Sequence, residues 1–63
     1  MRHTELWARL ESALGTAYYR HWADTVVITE LGRTAREALD AGVSPKEIWA
    51  ACCRALELPA HQR

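Results

Sequence analysis

The chain has 63 residues, eight Lys and Arg against eight Asp and Glu, three His, two Cys and 49% apolar residues. A chain this short buries only roughly 60% of the surface its unfolded form exposes, so it can build one small core but not easily enclose a substrate pocket of about 300 Å³ or more. Standalone enzyme chemistry is therefore disfavoured, and a formal charge of zero argues against binding nucleic acid or anionic membrane by bulk electrostatics.

The first element is predicted as a helix over Thr4–Leu14. Thr4 can cap it, Glu5 suits the positive end of the helix dipole, and Leu6, Trp7, Leu10, Ala13 and Leu14 make one apolar stripe before Gly15. A second helical stretch is expected over Ala17–Leu31 with a break near Asp24. Tyr18, Tyr19, Trp22, Ala23 and Val26 share one face, whereas Val27, Ile28 and Leu31 fall on another. Thr25 to Thr29 has strand propensity, but no second strand-like segment offers itself as a partner, so the segment is assigned as helix.

Thr34-Ala35-Arg36-Glu37 has the form of a capping box and Gly42 that of a left-handed helix end, which places a short helix over Ala35–Ala41. Ser44-Pro45-Lys46-Glu47 repeats the capping signal with proline at the first helical position, and Val43 with Ile48 is spaced for a hydrophobic staple. This last helix is expected over Pro45–Leu58, stopped by Pro59. Its broad apolar side holds Ile48, Trp49, Cys52, Ala55 and Leu56, with Lys46, Glu47, Ala50, Arg54 and Glu57 opposite. The sum is an all-α fold: a compact bundle of four to five short helices with a helix-turn-helix-like C-terminal half, forming a single domain over residues 1–63.

Charges interrupt the apolar residues from Met1 to Arg9, leaving no signal-peptide core, and the longest apolar run, Ile48 to Cys53, is far below the roughly 18 residues that span a bilayer. A cytoplasmic protein without a membrane partner is expected. Cys52 and Cys53 are adjacent, a strained arrangement for a disulfide, and are read as reduced thiols. On a helix they diverge by about 100°, and His3, His21 and His61 form no metal-ligand spacing with them, so neither a metal nor a cofactor is expected. Cys52 should be an inert core residue. Cys53, at the edge of the stripe beside Arg54, is reactive only if partly exposed.

Leu31 to Leu39, Gly42-Val43, Pro45 to Trp49 and Cys53 to Pro59, together with Trp7, Gly15 and Tyr18, resemble a family of short actinobacterial proteins, domain of unknown function family 3046. The likeness covers nearly the whole chain. Members commonly have Gly-Gly-Arg-Thr where this chain has Gly32-Arg33-Thr34. The resemblance implies no activity. Members are often encoded near recombinase A and its regulator, which implies at most a loose association with DNA repair.

The residues support two readings of function. A helix-turn-helix DNA-binding accessory would use Arg33, Arg36, Lys46 and Arg54, but Glu37, Asp40, Glu47 and Glu57 lie among them, and the start of the last helix offers no Arg, Asn or Gln to read base edges. The preferred reading is a non-catalytic module that docks on an unknown protein partner, or on itself, through Trp49, Cys53, Arg54 and Tyr19. Trp49 is the tryptophan expected to be partly exposed, since exposed aromatics beside Arg anchor interfaces, while Trp7 and Trp22 are expected in the core.

Overall fold

The computed structural model describes residues 1–58, so Pro59 and His61 lie outside the described residues. Along the chain run α1 (His3–Leu14), α2 (Tyr19–Thr25), β1 (Val27–Ile28), β2 (Arg33–Thr34), α3 (Ala35–Asp40) and α4 (Pro45–Leu56). The architecture is mostly helical, but the two short strands make it not all-α. None of the described helices is long and apolar enough to cross a membrane.

Helix α1 starts one residue earlier than its sequence suggests. Arg2, not Thr4, is the capping position, and no side chain caps it. The stripe turns inward as expected: Leu6 and Leu10 are fully buried, with Trp7, Ala13 and Leu14 half-buried against them. Gly15 ends the helix at φ +97°, its N–H donating to the Glu11 carbonyl at 2.7 Å.

Helix α2 stops at Thr25, one residue past the expected break, and the chain then runs extended rather than helical. Val27 pairs antiparallel with Thr34 and Ile28 with Arg33. The partner missing from the sequence pattern is thus a dipeptide across a four-residue turn. A ladder this short needs backbone groups and not a second β-branched run. Ile28 and Thr34 are buried while Val27 and Arg33 are exposed. The N–H groups of Leu31 and Gly32 both donate to the Ile28 carbonyl, and Gly32 takes φ +67°, a region that glycine enters without strain.

Thr34 ends β2 and also caps α3. Its Oγ1 accepts from the Glu37 N–H at 3.1 Å, and its own N–H donates to Glu37 Oε1 at 2.9 Å, a complete capping box. Gly42 at φ +92° lets the Val43 N–H reach back to the Ala38 carbonyl at 3.0 Å, closing α3 in a Schellman-type end. Ser44 then caps α4 by accepting from the Glu47 N–H at 3.2 Å. Helix α4 ends two residues short of the expected Leu58, with Glu57 itself in the left-handed region at φ 54°.

One buried cluster joins these elements: Leu6 and Leu10 of α1, Trp22 and Ala23 of α2, Ile28 of β1, Ala35 and Ala38 of α3, and Ile48, Trp49, Ala51, Cys52 and Cys53 of α4. Two placements on α4 differ from the helical-wheel expectation. Ala55 shares its side of the helix with Ile48, two turns away, but is exposed and borders a shallow depression with Ile28, Thr29 and Glu30. Trp49 is buried, at 4% exposure, because α1 covers that shoulder of α4.

Candidate functional site

Helix α4 carries a second stripe besides its core face. Lys46, Trp49, Ala50, Cys53 and Arg54 recur at i, i+3, i+4, i+7 and i+8, the spacing that aligns side chains on one side of a helix. With Met1, Glu5 and Arg9 at the α1 side, these residues line an open groove of about 540 Å³. Glu5 and Arg9 stand one turn apart on the flank of α1 beside Leu6 and Leu10, so the packing that buries those leucines carries the charged pair to the groove.

The wall is apolar and the rim is basic. Trp49 and Cys53 are buried, at 4% and 1% exposure, which corrects the expectation that Trp49 is partly exposed and removes the exposure on which a reactive Cys53 depended. The Arg9 guanidinium lies 6.0 Å from the Trp49 ring centroid, a cation–π arrangement that also covers the ring. The Trp49 indole N–H is buried and has no acceptor among the described residues. Leaving such a donor unpaired costs about 1–3 kcal/mol.

Arg54 reaches the other way, to the β1–β2 turn. Its Nε and Nη2 donate to Glu30 Oε1 and Oε2 at 2.5 and 2.6 Å, a bidentate pair spanning the outside of the molecule. The hydrogen bond from Arg54 holds the Glu30 carboxyl below its ordinary range, and the same bond raises the guanidinium above its own. Arg9 and Lys46 have no carboxylate partner among the described residues.

Of the four residues expected at a docking face, the structure brings Trp49, Cys53 and Arg54 together and leaves Tyr19 apart. Tyr19 joins Trp7, Arg20 and Arg36 around a separate, smaller depression of about 230 Å³. There Arg36 sits 5.1 Å from the Trp7 ring centroid and pairs with Asp24 at 3.3 Å, while Arg20 Nε donates to the Tyr19 hydroxyl at 3.0 Å. The abundance of tryptophan has a structural reason here. Trp7, half-buried, and Trp49, buried, each have an arginine guanidinium over the ring. Trp22 is buried in the core cluster as expected, whereas Trp7 is only half-buried.

Among the residues named for DNA contact, Arg33 is exposed on β2 and Lys46 stands on the groove rim, but Arg36 and Arg54 each already engage a carboxylate. Cys52 is fully buried, and burial, reinforced by the neighbouring Cys53, pushes its thiol up to about 12. It is a core residue. Among the described residues no three His, Cys, Asp or Glu side chains converge as metal ligands would.

Arg9, Glu5, Met1 and Ala50 are the groove residues that sequence reasoning missed. The helical wheel of α4 set Lys46, Ala50 and Arg54 opposite Trp49, and no signal within α1 says which flank meets another helix.

A family model described as "Protein of unknown function (DUF3046)" matches residues 1–61. No curated protein and no solved structure matches the chain.

Proposed function

We propose that the chain, which belongs to the DUF3046 family of proteins of unknown function, is a non-catalytic interaction module that receives a protein partner in the groove between α1 and α4. The observation that carries this reading is the groove itself. It is a concave surface of about 540 Å³ with an apolar wall from Trp49, Ala50 and Cys53, and it is rimmed by Arg9, Lys46 and Arg54. Interfaces combine features of this kind, an aromatic and apolar centre inside a polar, arginine-bearing rim. Cys52 takes no part in nucleophilic chemistry on this reading, because its thiol is buried and held neutral.

The groove is favoured over a DNA surface because Arg36 and Arg54 are committed to Asp24 and Glu30, which removes two of the four cations that a phosphate backbone would require. Parallel affinity capture from lysate with wild type and Ala50→Gln tests the reading. The substitution puts a long neutral side chain into the groove at a half-buried helical position. A partner retained by wild type and lost with the folded variant is the expected result. Equal retention by both proteins, or salt-dependent binding of duplex DNA by the wild type, contradicts it.

A further inference from the structure

Resting on that docking reading, we infer that the occupant of the α1–α4 groove is an acidic segment of a partner protein, with a bulky apolar residue beside its carboxylates. The charge of the lining points to it. On a chain of formal charge zero, the groove gathers Arg9, Lys46 and Arg54 against the single carboxylate of Glu5. Arg54 shares its charge with Glu30, but Arg9 and Lys46 face no carboxylate partner among the described residues. With Glu5 and Glu30 set against Arg9, Lys46 and Arg54, the groove keeps a net positive charge beside its apolar wall, which is complementary to a segment that sets acids beside an anchor.

Geometry sets the size. From Lys46 to Arg54 the α4 stripe extends about 12 Å, which matches roughly four residues of extended chain or two turns of helix. The smaller depression around Trp7 and Tyr19 lacks this combination, since its Arg36 is paired with Asp24 and its volume is about 230 Å³.

The test is selection of a random dodecapeptide phage library on the immobilised full-length protein. Binding of the recovered peptides is then measured on wild type, Lys46→Glu and Ala50→Gln at low and moderate salt. Lys46 is the second residue of α4, where an acidic side chain suits the helix dipole, so Lys46→Glu keeps the fold while reversing a rim charge. The expected outcome is peptides rich in Asp and Glu around Leu, Phe or Trp, weakened roughly tenfold by Lys46→Glu and by added salt, and lost with Ala50→Gln. Peptides that are blocked by Ala50→Gln but carry no acidic excess overturn the inferred chemistry and leave the docking reading standing. Peptides indifferent to Ala50→Gln, or no selected peptide at all, overturn both. Displacement of the peptides by a mixed-sequence DNA duplex at low salt would make the occupant nucleic acid and likewise overturn the inference.

Discussion

Replacing Trp49 separates a core tryptophan from an exposed anchor. The side chain is 4% exposed within the buried cluster, and truncating such a residue to alanine costs about 3–5 kcal/mol. Part of that is returned, because the unpaired indole N–H leaves with the ring and its burial cost of about 1–3 kcal/mol is relieved. A net loss of about 2 kcal/mol remains. For a chain of 63 residues the whole folding free energy is about 3–9 kcal/mol, so Trp49→Ala should lower Tm by about 10–20 °C and leave the domain marginal. Trp49→Phe keeps most of the ring and removes only the unpaired donor, and should stay within about 1 kcal/mol of wild type. Urea unfolding followed by far-ultraviolet circular dichroism, which does not depend on tryptophan emission, measures both. An alanine variant within about 0.5 kcal/mol of wild type would refute the burial of Trp49. A phenylalanine variant as damaging as alanine would refute the unpaired state of its N–H.

Three further expectations rest on caps and charges. Thr34→Ala removes the acceptor for the Glu37 N–H and should cost about 1 kcal/mol in chemical denaturation, with Ser44→Ala similar or smaller because its box lacks the reciprocal bond. Cys52 has a folded-state pKa raised to about 12, so its contribution is fully present below its unfolded value near 8.5 and is lost as pH rises toward 12. Unfolding free energy should therefore fall by up to about 1.4 kcal/mol per pH unit in that window, and a flat profile in urea titrations at pH 8 and 10 would contradict the burial of this thiol. Glu30 is shifted the opposite way. Its contribution is present above the ordinary carboxylate pKa and is lost as pH falls through its depressed folded value, so Glu30→Gln should flatten the acid limb of a stability–pH profile and make Arg54→Ala without further effect.

Local chemistry made much of the fold legible. The Thr34–Glu37 box, the Ser44-Pro45 start and the left-handed Gly42 are short-range signals, each depending on atoms three to five residues apart, and each appears where the residues point. The β1–β2 hairpin was not legible because Arg33-Thr34 has no strand pattern of its own. It pairs through its backbone, in a position created by the turn and by the start of α3. The site was half legible for the same reason. Trp49, Cys53 and Arg54 were expected at a docking face, but the helical wheel set Lys46 and Ala50 on the side opposite Trp49, and the burial of Trp49 and the arrival of Arg9 depend on α1 packing there, a tertiary choice that neither helix encodes separately.

Amide chemical shifts of the ¹⁵N-labelled protein, recorded while the tightest selected peptide is added, locate the docking surface residue by residue. Docking in the α1–α4 groove predicts shifts concentrated at Glu5, Arg9, Lys46, Ala50 and Arg54, with Tyr19, Arg20 and Arg36 unmoved. Shifts centred on Tyr19 and Arg36, or on Arg33, would contradict it.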